Sequence, residues 1–142
     1  MIALLDTNML IALFDAAHVH HRPAHGWMTK NRSIGWATCP ITQNGCVRVM
    51  SQPNYPGHLP VAEIVRRLAA AVSAADHIFW PDSISLCDST RFDPTRILTS
   101  RNLTDIYLLG LAVEKGGRLV TFDRATAPAA VPNAKDRHLL GL

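Results

Sequence analysis

The sequence has few cysteines and no long apolar run, and both absences narrow the class of protein. Its three cysteines, Cys39, Cys46 and Cys87, form no CxxC pair. An odd number without that spacing argues against a disulfide framework and against a thiolate zinc site. No apolar stretch approaches the roughly 18 residues of a membrane span, and no basic leader precedes an apolar segment. We therefore expect a cytoplasmic protein that does not contact the membrane.

Several motifs that carry chemistry are also missing. Neither GxxxxGK[ST] nor GxGxxG occurs, which disfavours a nucleotide-binding enzyme. The second aspartate that a phosphatase of the aspartyl-phosphate kind needs is replaced by Asn8, two residues after Asp6. The histidines are clustered but lack HExxH spacing, so an exposed polar surface is expected there rather than a zinc site. They are His18, His20, His21 and His25.

What is present predicts one globular domain. The 142 residues, 48% of them apolar, are enough for one core and too few for two ordinary domains, so we assign residues 1–142 to a single domain. The formal charge of +3, from 14 basic and 11 acidic residues, is compatible with a polyanionic partner but does not demand one.

Short apolar runs alternate with longer helical patterns, which is typical of an α/β fold. We predict strands at 2–5, 34–39, 77–80, 118–122 and about 138–140. Helices are predicted at 7–14, within 18–31, from Pro40 to about 50, from Pro60 to 72 and from about 102 to a glycine cap at 116–117, with short ones near 84–87 and 94–98. Strands so rich in Val, Ile, Leu and Ala require helices on both faces, so the sheet of four to five strands should be parallel.

Polar residues follow these strands and mark one edge of the sheet. Asp6 follows the first strand, Asp123 follows the fourth, and Gln43 lies in the first turn of the helix after the second. Asp105 opens the long helix before the fourth strand. Each aspartate has a simpler explanation as a helix cap or a surface turn. Their common placement, and the small polar neighbours at 7, 8, 104 and 121, favour a shared site.

Clustered carboxylates repel one another and raise each other's pKa unless a cation lies among them. Mg²⁺ and Mn²⁺ prefer oxygen ligands, and such an ion can orient water for attack on a phosphodiester. We therefore predict Asp6, Asp105 and Asp123 as ligands of Mg²⁺ or Mn²⁺. Asn8, Thr104 and Thr121 are predicted as supporting polar residues.

Three segments, LLDTNMLIALF, TCPITQNGCVRVMSQP and LTDIYLLGLAVEKGGRLVTFDR, resemble the successive motifs of PIN-domain proteins, specifically the VapC toxins of bacterial toxin–antitoxin pairs. The resemblance spans nearly the whole chain. It implies a three-layer α/β/α sandwich, a metal-dependent endoribonuclease that cuts tRNA or rRNA, a homodimer and a VapB antitoxin as inhibitor. By position, Asp6, Asp105 and Asp123 match the family's metal-holding acids.

The chain departs from the family pattern at Gln43, which stands where the fourth acid, a glutamate, is expected. Glutamine keeps the length but loses the charge, so the resemblance implies weakened metal binding and a gain of cleavage on Gln43→Glu. Two explanations remain open. A deliberate exchange would disarm a toxin, whereas a natural glutamine would mark a weakened enzyme or a different metal arrangement; we favour the first because the exchange is isosteric.

The candidate residues for RNA contact are basic and aromatic. Phosphate contacts would come from arginines near the site in sequence: Arg48, Arg91, Arg96, Arg101 and Arg124. Trp27 could stack on an unpaired base, whereas Trp36 and Trp80 fit core positions on strands better. The alternative function is a non-catalytic module that binds RNA or sequesters the antitoxin, for which Gln43 is the best support.

Overall fold

The computed structural model describes all 142 residues and contains one five-stranded sheet in which every strand pair is parallel. The strands are β1 (Ala3–Leu5), β2 (Trp36–Thr38), β3 (His77–Phe79), β4 (Arg118–Thr121) and β5 (Leu139–Gly141), in the spatial order β3-β2-β1-β4-β5. The predicted parallel sheet is therefore confirmed, with β1 at its centre.

Five α-helices and five short 3-10 helices connect the strands. The α-helices are α1 (Thr7–Phe14), α2 (His21–Asn31), α3 (Pro40–Met50), α4 (Val61–Val72) and α5 (Leu103–Glu114). The 3-10 helices are Arg32–Ile34, Pro94–Arg96, Ser100–Asn102, Pro128–Ala130 and Asp136–His138. All five predicted long helices are present.

The side chains of the strands alternate between two cores, one on each face of the sheet. Leu4 packs with α5 residues such as Leu108, whereas Leu5 packs with Leu10 of α1 and Cys46 of α3. The strands are thus covered on both sides, as their continuous apolar sequence requires. The result is the predicted three-layer α/β/α sandwich.

The order of the strands creates a crevice beside β1. The chain passes from β1 outward through β2 to β3, then returns to place β4 on the opposite side of β1. Loops after β1 and β4 therefore leave the sheet in different directions. In open parallel sheets ligands bind at this switch point, beyond the carboxyl ends of the strands.

Several local predictions differ from the structure. Residues 84–87 form no helix, and the predicted helix at 94–98 is the short 3-10 turn Pro94–Arg96. The strand predicted at 34–39 is shortened to Trp36–Thr38, because Arg32–Ile34 forms a 3-10 helix and Gly35 turns the chain at φ +109°. The strand β3 lies at a sheet edge, so Ile78 and Phe79 stay 39% and 49% exposed instead of being covered.

The predicted glycine cap of α5 is present. Gly116 has φ +67°, its N–H donates to the carbonyl of Val113, and Gly117 N–H donates to that of Ala112. These two bonds form a Schellman motif, which satisfies carbonyls at the end of the helix. The chain is thereby directed into β4, which leads to Asp123. No helix in the structure combines the length and apolar character needed to cross a membrane.

Gly110 in the middle of α5 provides a test of the core. A Cβ atom at this position would lie 2.6 Å from Cε1 of Phe92, whose side chain is only 1% exposed in the core. We expect Gly110→Ala to lower the free energy of unfolding by about 1–3 kcal/mol through overpacking, measured by chemical denaturation.

Gly26 in α2 is the matched control, since nothing lies within 4 Å of a Cβ built there. Gly26→Ala should be neutral or stabilise the fold by up to about 1 kcal/mol, because alanine favours the helix. Equal stability of the two variants would contradict the close contact between α5 and Phe92.

Candidate active site

Three aspartates reach the switch point from three different elements. Asp6 directly follows β1, Asp123 lies two residues beyond β4, and Asp105 is in the first turn of α5. A helix that connects parallel strands runs antiparallel to them, so α5 begins at the carboxyl edge where β1 and β4 end. Topology alone therefore brings together residues that are far apart in sequence.

The carboxylate of Asp6 is held in a buried position by two donors. Asp6 is 2% exposed and is the N-cap of α1, where its Oδ1 accepts a 2.6 Å hydrogen bond from the N–H of Met9. Its Oδ2 accepts a hydrogen bond from the hydroxyl of Thr121. The same hydroxyl oxygen accepts from the N–H of Asp123 at 2.9 Å. Thr121 therefore links the ends of β1 and β4.

Burial and mutual repulsion disfavour the charged forms of two of these acids. Burial raises the pKa of Asp6 from 3.8 to about 6, despite the bonds from Thr121 and Met9 that favour its ionised form. Burial also raises the pKa of Asp105, and a hydrogen bond shared with Asp123 and the charges of Asp6 and Asp123 act in the same direction. A cation among the three groups would relieve this cost.

A cavity of about 580 Å³ opens beside these acids. Asp6, Asn8, Thr104 and Asp105 line it, together with Asn44 and Arg48 of α3. Arg48 takes part in none of the six ion pairs of the structure, whereas Arg91 and Arg96 pair with nearby acids. Of the arginines considered from sequence, Arg48 is the one that lines this cavity.

Gln43 bonds to the end of the neighbouring strand and is not among the residues that line this cavity. Its Nε2 donates to Oγ1 of Thr38 at 2.9 Å, and that oxygen also contacts Nε2 of His77 at 2.8 Å. The face of α3 that points to the cavity carries Asn44 and Arg48 instead. Gly45 lies on this face too, where a Cβ atom would be 2.7 Å from Oγ1 of Thr7, so the glycine allows α3 to approach α1.

The oxygen atoms of the three aspartates and of their polar neighbours suit a hard divalent cation, but these atoms do not surround a common position for one. Carboxylate oxygens with amide and hydroxyl neighbours are the ligands that Mg²⁺ and Mn²⁺ prefer. No group of three or more His, Cys, Asp or Glu side chains is arranged to hold a metal ion as it stands. Asp105 and Asp123 are close enough to interact, and this interaction adds to burial in raising the pKa of Asp105.

The remaining candidates divide between core and surface. Trp36 and Trp80 are buried at 4% and 5% exposure, as predicted. Trp27 lines a small pocket with Met1 and Arg118, near the amino ends of β1 and β4, and so is remote from the acids. His21 and His25 contact the carbonyls of Ala12 and Leu13 at the end of α1. Both rings therefore bond to carbonyl groups at the end of α1.

Sequence reasoning missed Asn44 and Phe122, the second of which lines another cavity beside the acids. Helical spacing offered a signal for Asn44, because residues 44 and 48 are one turn apart on the same face of α3 and 43 is not. No sequence signal indicated Phe122, because an apolar residue at this position was predicted to belong to the strand at 118–122.

The chain is similar to known proteins over most or all of its length. A family model described as the PIN domain matches residues 3–131. Ribonuclease VapC44 of Mycobacterium tuberculosis is 48% identical over 142 residues, which cover 100% of both chains. Ribonuclease VapC39 of the same species is 45% identical over 131 residues, which cover 92% of this chain and 94% of the relative. The chain belongs to the VapC group of the PIN-domain family.

Two solved structures share the fold of this PIN domain. VapBC2 from Rickettsia felis, bound to a DNA fragment from its promoter, gives a TM-score of 0.66 at 13% identity and covers 100% of this chain and 99% of that one. VapC20 of Mycobacterium tuberculosis, a sarcin-ricin loop cleaving toxin, gives 0.63 at 12% identity, with 93% and 98% covered.

The raised pKa of Asp6 predicts how stability depends on pH. Between pH 4 and 6 the folded protein keeps the Asp6 proton and the unfolded chain has lost it. The folded state therefore binds more protons and loses stability as pH rises. A pKa of about 6 instead of 3.8 corresponds to about 3 kcal/mol. We expect Asp6→Asn to reduce this loss without abolishing it when thermal unfolding is followed from pH 4 to 7.5 in EDTA, because the pKa of Asp105 is raised as well.

A divalent cation should offset the loss of stability that accompanies ionisation of Asp6. Mn²⁺ is expected to raise the unfolding midpoint of the parent more at pH 7.5 than at pH 5, since protons compete with the ion for the carboxylates. Asp136→Asn, at an exposed acid outside the site, serves as the control. An equal response to Mn²⁺ in the parent and in Asp6→Asn would show that Asp6 does not bind the ion.

Proposed function

We propose that this chain is the toxin of a VapBC pair, an endoribonuclease that uses Mg²⁺ or Mn²⁺ to cleave cytoplasmic tRNA or rRNA. The observation that carries the proposal is the convergence of Asp6, Asp105 and Asp123 at the switch point, beside a cavity that holds an unpaired arginine. The named activity of the VapC ribonucleases that the chain resembles supports the reaction class.

The residues have separate roles in this proposal. Asp6, Asp105 and Asp123 would hold the ion, and Thr121 orients Asp6 by its hydrogen bond. A bound Mg²⁺ or Mn²⁺ supplies an activated water and neutralises charge on the phosphate. Asn8 and Thr104 line the cavity and offer polar groups to substrate or water. Arg48 is free to contact a backbone phosphate, which makes binding weaken with salt.

The partners follow from the same family membership. A VapB-type antitoxin is the proposed inhibitor, supported by the similarity in fold to a VapBC complex. The homodimer stays a prediction. The surface available for it includes exposed apolar side chains of α4 and of the edge strand β3, among them Val61, Val65, Ile78 and Phe79.

Cleavage of total RNA tests the enzyme against the non-catalytic alternative. We expect the parent and Asp136→Asn to produce discrete fragments with Mg²⁺ or Mn²⁺ and none with EDTA. Asp6→Asn and Asp105→Asn should cut at least about 100-fold more slowly, since each removes a charge from the proposed metal site. RNA binding without cleavage by every form would favour the non-catalytic module, which the lack of a fourth carboxylate at the cavity also favours.

The orientation of Gln43 gives a separate prediction. Because its amide donates to Thr38 and does not line the cavity, we expect Gln43→Glu to change the cleavage rate by less than about threefold, an effect below 1 kcal/mol on the barrier. The rate is measured on the same RNA at several Mg²⁺ and Mn²⁺ concentrations. A tenfold or larger gain would mean that position 43 reaches the reacting groups and that the parent is impaired, as the resemblance implies.

A further inference from the structure

A second cavity lies on the other side of the acidic cluster. It has a volume of about 340 Å³, at the lower end of the roughly 300–1,000 Å³ of small-molecule sites. Asn8, His18, Val19, His20, Phe122 and Asp123 line it. Asn8 also lines the larger cavity, so the two spaces adjoin at this residue, one on each side of the acids. A nucleic-acid strand that crosses the acids would occupy both.

This second cavity contains an aromatic stack. The rings of His20 and Phe122 are parallel within 9° with centroids 4.3 Å apart, and the ring of His18 lies 5.7 Å from that of His20. Phe122 is half-buried against the core, whereas His20 is exposed. Phe122 therefore packs one side of the stack against the core, and His20 leaves the other side open to solvent.

The segment that carries His20 is fixed by its neighbours. The N–H of His20 donates to Nδ1 of His18 at 3.0 Å, and His21 contacts the carbonyl of Ala12 at the end of α1. The ring of His20 makes no hydrogen bond to the protein and does not cap α2. The ring of His20 is thus placed by its stack on Phe122 and by the ring of His18, and not by a hydrogen bond.

We propose that this cavity binds an unpaired base of the RNA next to the scissile phosphate, stacked on His20 and supported by Phe122. The inference rests on the proposed function and adds which residues would hold the base beside the cut. Aromatic side chains, including His and Phe, hold unpaired bases in this way in RNA-binding proteins. Val19, 83% exposed, adds an apolar surface at the same place.

A metal is a poorer occupant of this cavity. Because Nδ1 of His18 accepts a backbone hydrogen bond, the other nitrogen of the neutral ring carries the proton and offers no lone pair to an ion. The flat, parallel rings of His20 and Phe122 offer a π surface instead, which is the chemistry that recognises a base.

Fluorescence anisotropy with a 12-nucleotide RNA of mixed sequence tests this proposal. The labelled RNA is titrated as a single strand and as a duplex with its complement, in EDTA to prevent cleavage. The parent should bind the single strand more tightly than the duplex. His20→Ala should weaken single-strand binding about five- to tenfold, His20→Trp should retain it, and His58→Ala, at an exposed histidine outside the cavity, should have no effect.

The possible outcomes separate this inference from the proposed function. Unchanged binding by His20→Ala, equal loss in His20→Ala and His20→Trp, or equal affinity of the parent for single strand and duplex would each overturn base stacking. Cleavage of total RNA by the parent, absent in Asp6→Asn, would then leave the nuclease assignment intact. If the parent neither binds nor cleaves RNA, both proposals are wrong. Thermal unfolding of each variant verifies that it is folded.

Discussion

The structure depends on how one buried carboxylate is held at the end of the central strand. Asp6 is the N-cap of α1, and its second oxygen accepts from Thr121 on the neighbouring strand. The first bond sets the direction in which the chain leaves β1, and the second joins β1 to the end of β4. An uncharged N-cap residue could also accept from the backbone N–H groups of α1, without a deeply buried charge. The cost of that burial, seen in the raised pKa, is explained if the group also serves a cation.

The fold concentrates charge at the point where the sheet topology reverses. Asp105 arrives from the start of α5 and Asp123 from the loop after β4, so neither position is held by the same hydrogen bonds as Asp6. The carboxylate of Asp123 accepts instead from the N–H of Ala125 at 2.8 Å. Burial and the nearby charges of Asp6 and Asp123 raise the pKa of Asp105. The three carboxylates are thus brought together at a cost that a bound cation would reduce.

Two cavities with different chemistry adjoin this acidic centre. On the side of α3, Asn44 and the unpaired Arg48 suit a charged backbone. On the side of α2, the stack of His20 on Phe122 suits a base. A strand of RNA has both features in alternation, which makes the two surfaces complementary to consecutive parts of one ligand. In the proposed complex the acids would lie next to the phosphodiester.

The sequence by itself determined the α/β class, the parallel sheet, the long helices and the three aspartates, because apolar periodicity and strand-end positions are local patterns. Tertiary structure decided the rest. The rotation of α3 about its axis, set by the close approach of Gly45 to Thr7, turns Gln43 to Thr38 and Asn44 to the cavity. The contact of His20 with Phe122 joins residues about a hundred positions apart. Helical spacing shows only that residues 44 and 48 share a face of α3. The direction of that face, like the contact of His20 with Phe122, follows from how packed elements lie against one another.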